Sequence, residues 1–514
     1  MQKNSRSQNA PIGTMPLIAL DRRSKLPLHK QIYEGFRAAI VNRALDPGQK
    51  VPSSRDLAAE LRISRIPVLN AYAQLLVEGY LEARTGSGTF VSAELPDAIT
   101  FAAVRQTPNA HPILSGARRV ADRTRALPKR EPLPWLHGWG AFGLHQPALE
   151  QFPHSLWASL IARHCRNPSI ARMHHIDPLG SERFREAVCN YLRTSRGVRC
   201  EARQIMIVSG SQQALDITAR VLLNAGDAVW VEEPGYNLAR NAFLSAGCRW
   251  VHVPVDAAGM DVAAGIRMNR NARAAHVTPS HQFPLGVTMS ASRRMQLLQW
   301  AQKYGAWIIE DDYDSEYRHE GMPIASLQGL DPHARVIYVG TFSKVLFPSL
   351  RMGYIVIPPD LIGAFAAVRL AMDIFPAYLH QEALTDFIVE GHFARHIRKM
   401  RTLYRERRDA LIECMQKTIH PALEISGSET GMHLVAYLPH GYNDRDLAMQ
   451  AAQAGLWLWP LSPCYNSSPA RHGFILGYGS TPVQAVPRAV EKMRTLLEAN
   501  KPQPRGKQSR TAIV

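Results

Sequence analysis

In the run Tyr338-Val-Gly-Thr-Phe-Ser-Lys344-Val-Leu-Phe-Pro-Ser-Leu-Arg351-Met-Gly-Tyr354, a lysine follows closely on a stretch of apolar β-formers. Residues 336–339 predict a short buried strand and Gly340 a break. Thr341, Ser343 and Lys344 then fall on the loop beyond, where open α/β sheets place their ligands. Lysine is scarce nearby: between Trp135 and Asn500 the others are Lys303, Lys399, Lys417 and Lys492, each in basic, helix-like surroundings. An amine held at a strand end, partly desolvated and beside Arg351, is disposed to lose its charge and attack a carbonyl to form a Schiff base. The same residues also suit a lysine that merely snorkels from a sheet edge.

Three further stations follow predicted strands. After 205–208 comes Ser209-Gly-Ser211-Gln212, opening a helix whose free amides and hydroxyl suit a phosphate. After 228–231 comes Glu232-Glu-Pro-Gly-Tyr236, with a ring able to stack on a flat heterocycle or simply to pack. After 307–309 comes Glu310-Asp311-Asp312-Tyr313-Asp314, and four carboxylates in five residues are costly unless something cationic meets them. A protonated pyridine nitrogen on Asp311 is one such partner, with Tyr313 near a phenolate oxygen. A divalent metal is the rival, but no histidine shows ligand spacing and phosphoryl chemistry lacks its glycine loop, so no metal is expected.

The elements that must carry these stations alternate strand and helix from Trp135 onward, which predicts a mostly parallel sheet in an α/β domain. Strand-like runs fall at 205–208, 228–231, 250–253, 274–277, 307–309, 336–339 and 354–357. Helices are expected at 211–223 and 292–304, and a long basic helix from about 391 to 419 leads into a smaller α+β part.

The amino-terminal quarter reads differently. Leu28, Ile32, Phe36 and Ile40 mark an amphipathic helix; Ser53 with Asp56 caps a second; Ser64 caps a third, with Pro67 in its first turn. Gly79-Tyr-Leu81, the turn 84–88 with Gly86 and Ser87, and Thr89-Phe-Val91 form a hairpin. Together they predict a winged helix-turn-helix. Arg55 and Arg65 begin the second and third helices and Arg84 stands at the wing. Residues 1–93 hold thirteen Lys and Arg against seven Asp and Glu, which favours nucleic acid over a winged helix used for protein contact alone.

The expected organisation is a disordered tail (1–15), the winged helix (16–93), a basic proline-containing linker (94–134) with a short helix at 113–126, a large domain (135–390), a small subdomain (391–500) and a basic tail (501–514). At 514 residues and a formal charge of +17, the chain exceeds one core and favours polyanions. Six cysteines without a C-x-x-C pair suit reduced thiols, and 361–375 is interrupted by Arg369 and Asp373, short of a membrane span. A cytoplasmic protein without a membrane role is expected.

Ser343-Lys344 followed by Pro348-Ser-Leu-Arg351-Met-Gly-Tyr354 resembles the pyridoxal-phosphate lysine loop of fold-type I aminotransferases. Pro52-Ser-Ser-Arg-Asp-Leu57, Ser64-Arg65, Glu78-Gly-Tyr-Leu81 and Gly86-Ser-Gly-Thr-Phe-Val91 resemble the GntR-type DNA-binding domain, with Ile66-Pro67 as a departure. Thr278-Pro-Ser-His281-Gln-Phe-Pro284-Leu-Gly286 and Asp311 to Arg318 are similar to the MocR/GabR regulators, which join the two. The resemblance implies an internal aldimine on Lys344, Asp311 on the ring nitrogen, Tyr313 on the ring hydroxyl and Tyr236 stacking. Ser211, Gln212, Thr341, Ser343 and Arg351 would hold the phosphate, and His281 or Gln282 would replace the asparagine missing at Phe283. The carboxylate-gripping arginine of aminotransferases aligns with Ile475, with Arg471 four residues earlier. Implied partners are operator DNA (through Ser53, Arg55, Ser64, Arg65, Arg84, Gly86 and Ser87), a small amine or amino acid or pyridoxal phosphate itself as effector, a second copy in a head-to-tail, domain-swapped homodimer, and RNA polymerase. The alternative is an aminotransferase carrying an accessory DNA-binding domain; sustained turnover is not expected.

Overall fold

The computed structural model describes residues 20–93, 120–125, 127–128, 133–136, 138–168, 170–174, 177–321, 325–421 and 423–502. The tail 1–15, most of the linker and nearly all of the last tail lie outside these. Of the helix expected at 113–126, the turn Asp122–Arg125 is described. The chain divides into two compact units, 1–119 and 120–514.

In the first unit the four-residue spacing becomes α1 (Leu28–Val41), with Ile32, Phe36 and Ile40 buried. Burial of each such side chain is worth about 1.5–3 kcal/mol. The Phe36 ring meets Tyr72 of α3 (Arg65–Val77) edge-on at 5.3 Å. Before α2 (Ser54–Glu60), Ser53 Oγ accepts from Asp56 N at 3.2 Å and donates to the Asp56 carboxylate at 2.7 Å, so the cap is closed from both sides. Ser64 occupies the N-cap position of α3, but its hydroxyl makes no capping bond. The hairpin is β1 (Leu81–Arg84) against β2 (Gly88–Val91).

The second unit is built on an eight-stranded sheet: β3 (Ile205–Val208), β4 (Ala228–Glu233), β5 (Arg249–Asp256), β6 (Gly259–Met260), β7 (Ala274–Val277), β8 (Trp307–Asp312), β9 (Val336–Thr341) and β10 (Gly353–Val356). Their order is β3-β10-β9-β8-β7-β4-β5-β6, parallel through β9-β8-β7-β4-β5, with β10 antiparallel to both neighbours and β6 antiparallel to β5. Helices Ser211–Leu222 and Ala291–Tyr304 lie close to their predicted bounds. β8 and β9 are buried at every position, which is why their sequences read as apolar runs rather than alternating ones.

Gly340 does not end its strand. It pairs with Asp312 on one side and Tyr354 on the other, and a Cβ there would lie 2.3 Å from the Tyr354 ring. The glycine serves that close approach, and the strand runs on through Thr341. Beyond the helix His392–Thr418, a four-stranded antiparallel sheet (β11 Glu424–Ser426, β12 His433–Tyr437, β13 Trp459–Pro460, β14 Gly473–Gly477) forms the smaller layer. The segment around 138–148 packs on this layer, although sequence grouped it with the large domain: Gly477 N donates to Phe142 O at 3.1 Å, and Phe142 N to Thr481 Oγ1 at 2.9 Å. Among the described residues no helix is long and apolar enough to cross a membrane.

Candidate functional site

The carboxyl ends of the parallel strands open into a cavity of about 350 Å³. Lys344, Asp311, Tyr313, Tyr236, Ser211, Gln212, Thr341, Ser343 and Arg351 all line it. Burial, reinforced by Arg351 and opposed by Asp314 and Asp311, lowers the Lys344 ammonium to about 8. Arg351 follows the short turn Pro348–Leu350 with φ +48, and its Nη2 donates to Ser209 O at 2.5 Å. Gly210 has φ +88, and a Cβ there would meet the guanidinium at 2.8 Å. The N-terminus of helix Ser211–Leu222 and the Arg351 cation therefore converge on one end of the cavity, a combination suited to a dianion.

The acidic run divides by strand alternation. Glu310 accepts from the amides of Leu327 and Gln328 at 2.8 and 2.9 Å; burial pushes its carboxyl up to about 7. Asp312 pairs with Arg196 at 2.6 Å, and Asp314 takes His281 Nδ1 at 2.9 Å. Of the four carboxylates only Asp311 lines the cavity, so three of them meet partners of their own. Asp311 Oδ2 lies 3.4 Å from His276 Nε2 on β7.

His281 does not line the cavity: its Nδ1 meets the Asp314 carboxylate at 2.9 and 3.1 Å, and its ring fills space kept open by Gly431, where a Cβ would lie 2.1 Å from it. From there it acts on Tyr313, whose hydroxyl donates to His281 O at 2.9 Å and sits 3.2 Å from Nδ1. Gln282 is likewise committed: its amide donates to Pro234 O and Phe283 O at 2.9 and 2.6 Å. His281, Asp314 and His433 bring candidate metal-ligand atoms within 4.8 Å of one another; His281 Nδ1 bonds Asp314 while its Nε2 has no partner among the described residues, and His433 Nε2 lies 3.1 Å from Pro284 O.

Sequence reading passed over His145, Leu238, Thr278 and Phe283, which also line the cavity. His145 comes from the 138–148 segment, its ring stacked on Phe283 at 5.5 Å; burial and Lys344 hold its imidazole well below the usual histidine range. No local pattern marks it, since it reaches the site only by the packing of its segment. His276, an imidazole inside an apolar strand, was the one legible signal missed.

Three buried polar atoms on the cavity wall have no hydrogen-bond partner among the described residues: Asp311 Oδ1, Ser343 Oγ and His145 Nε2. They fit a polar, anion-bearing heterocycle: Asp311 Oδ1 could take a ring N–H, Ser343 Oγ a phosphate oxygen, and Tyr236 the ring face. Ile475 is buried on β14 and is not among the residues that line the cavity. Arg471 is turned away, bound to Glu424 at 2.8 and 2.5 Å and stacked 3.6 Å over Tyr437.

In the first unit, Arg55, Ser64 and Arg65 are exposed at the starts of α2 and α3. Arg65 Nε donates to Ser54 Oγ at 3.0 Å, tying the two helix starts together. Ile66 beside it is 67 % exposed. Arg84 binds Glu82 at 2.5 Å and stacks 4.6 Å over Phe90, while Gly86 (φ +77) and Ser87, whose amide donates to Arg84 O, shape the exposed wing tip.

The family profile "Bacterial regulatory proteins, gntR family" matches residues 28–91, and "Aminotransferase class I and II" matches 166–471. A Rhizobium meliloti protein described as "Probable rhizopine catabolism regulatory protein MocR" is 40 % identical over 93 % of this chain and 95 % of its own. The chain belongs to the MocR family of GntR-type transcriptional regulators. A second relative, described as "HTH-type pyridoxine biosynthesis transcriptional regulator PdxR" in Corynebacterium glutamicum, is 30 % identical over 90 % of this chain and 94 % of its own. Among solved structures, the Pyrococcus horikoshii kynurenine aminotransferase superposes with a TM-score of 0.68 at 25 % identity, covering 75 % of this chain and 98 % of that one. This MocR-family protein is thus a DNA-binding regulator with an aminotransferase-like domain, a fold that implies pyridoxal phosphate.

Proposed function

We propose that this regulator holds pyridoxal phosphate at Lys344 and changes its grip on operator DNA when a small amine, an amino acid or the cofactor itself engages that site. The observation that carries the reading is the trio of unpartnered buried atoms, Asp311 Oδ1, Ser343 Oγ and His145 Nε2, around a lysine whose ammonium is lowered to about 8. When bound, the cofactor supplies an aldehyde that condenses reversibly with primary amines. Lys344 would present its uncharged amine to the cofactor's aldehyde. Asp311 would accept the ring N–H and keep that nitrogen protonated, and Tyr236 would cover the ring. Ser211, Gln212, Thr341, Ser343 and Arg351 hold the phosphate. Arg55, Arg65 and Arg84, with the amides at the starts of α2 and α3, meet DNA phosphates and bases. The signal passes through a head-to-tail homodimer to two winged helices, and from there to RNA polymerase.

Neither Ile475, at the position where aminotransferases carry the carboxylate-gripping arginine, nor Arg471, bound to Glu424, offers a cation to a substrate carboxylate, which favours sensing over transamination. The test is an absorption spectrum of the cofactor-loaded protein. A visible band that Lys344→Ala abolishes supports the reading, and a colourless, folded wild type after reconstitution defeats it. Sustained keto-acid formation from common amino donors would point to an enzyme instead.

A further inference from the structure

Asp312 points away from Asp311 and pairs with Arg196, which lines a second cavity. This cavity has a volume of about 260 Å³ and shares no lining residue with the first. Its wall carries Arg196, Arg318, Arg401, Arg405, Glu316 and His319. Arg196 is neutralised by Asp312, with Nε and Nη2 at 3.0 and 2.6 Å from one carboxylate oxygen. The other three guanidinium groups have no carboxylate partner among the described residues. Arg401 donates twice to the neutral carbonyl of Glu316 at 3.1 and 2.9 Å. Arg318 reaches Thr430 Oγ1 at 3.4 Å, and its Nε is buried and unpartnered. Arg405 is exposed and makes no hydrogen bond or ion pair among the described residues.

Glu316 is the acid on this wall, and it accepts from Tyr191 Oη at 2.5 Å; burial and the nearby Asp312 push its carboxyl up to about 7. His319 is only 6 % exposed. Its Nε2 faces Gly431 O at 3.0 Å and Tyr478 Oη at 3.1 Å; the Tyr478 hydroxyl donates to Gly431 O at 2.8 Å, so both neighbours are left as acceptors and Nε2 carries the proton. Nδ1 is left as a buried acceptor with no partner among the described residues.

We propose that this cavity is a second anion site, which takes inorganic phosphate or a phosphate monoester: Arg318, Arg401 and Arg405 pair its oxygens, and His319 Nδ1 accepts its P–OH hydrogen. The acceptor nitrogen sets the ligand class. A monoprotonated phosphate supplies both the charge for the arginines and the hydrogen for Nδ1, whereas sulfate and the phosphodiesters of DNA carry no such hydrogen near neutral pH. The recess also suits a compact anion better than a duplex. The site is independent of the Lys344 reading, because no residue is common to the two.

The experiment is calorimetric titration of the full-length protein, loaded with one equivalent of pyridoxal phosphate per chain and dialysed free of excess, with inorganic phosphate and then with sulfate. One saturable phosphate site per chain is expected, with weaker binding of sulfate. Arg318→Gln with Arg405→Ala should weaken phosphate binding about tenfold or more, as loss of charge-assisted hydrogen bonds implies, and leave the cofactor's visible band unchanged. Arg405→Ala alone, which removes no hydrogen bond or ion pair among the described residues, serves if the double variant does not fold. Absence of saturable phosphate binding, equal binding by the variants, or equal affinity for phosphate and sulfate overturns the proposal. So does a variant that loses duplex DNA affinity while phosphate binding stays put, since the arginines would then be a DNA contact.

Discussion

At the scale of single residues, the site depends on two groups kept in unusual states by their surroundings. Lys344 titrates near 8, so roughly a tenth of it is uncharged at pH 7. The rate at which the cofactor-free protein captures pyridoxal phosphate should therefore rise with pH and level off above about 8, as read by stopped-flow absorbance. A rate still climbing steeply at about pH 10 would mean that the lysine is unperturbed. The sign for stability is linked: the folded pKa lies below the unfolded value of 10.5, so the charged lysine burdens the cofactor-free fold fully below about 8, and stability is regained as pH rises from there toward 10.5. Asp311 is the second group. Its Oδ1 has no partner among the described residues, and an asparagine oxygen can keep the Oδ2 contact with His276, so Asp311→Asn should not lower the melting temperature of the cofactor-free protein. It should accelerate cofactor loss on dialysis about tenfold or more, because an amide cannot hold the ring nitrogen's proton as a carboxylate does.

Among the elements, the turn between β3 and helix Ser211–Leu222 makes the sharpest demand. Gly210 adopts φ +88 beneath the Arg351 guanidinium, and Gly210→Ala is strained in both respects. It should destabilise the protein by about 1 kcal/mol or more. It should also weaken pyridoxal phosphate far more than pyridoxal, which lacks the phosphate; equal losses for both, measured by spectral titration, would detach this turn from phosphate binding. Such local features were largely legible in sequence. The serine cap at Ser53, the alternation of strands and helices and the glycine-serine helix start are short-range signals, and they recur in the structure within a few residues. What was not legible is long-range. Gly340 reads as a breaker until Tyr354 is seen against it. His281 reads as a ligand until Asp314 and Gly431 are seen to claim its ring. His145 has no motif at all, because it arrives on a segment held by the sheet β11–β14. Four adjacent carboxylates suggested one cationic guest, but a strand's two-residue period sends neighbours to opposite faces, so each met its own environment.

For the molecule as a whole, the formal charge of +17 and the exposed arginines of the winged helix make DNA affinity depend on salt. Arg65→Ala removes one cation from the start of α3, where the chain is tied to α2 through Ser54. Operator affinity should fall, and the log–log salt slope should shrink by about one if the contact is to a phosphate. A base contact would instead relax specificity at one position with little change in slope. The dimer proposed above adds a geometric requirement. Two winged helices fixed in one assembly read half-sites on the same side of the duplex only at a set spacing, so inserting about five base pairs between them turns one half-site by half a helical turn. Affinity for that operator should collapse toward that of a single half-site, and a ten-base-pair insertion should recover part of it. If the five-base-pair insertion binds as tightly as the native spacing, the two winged helices act independently, and a rigid dimer cannot be the route by which the Lys344 site reaches DNA.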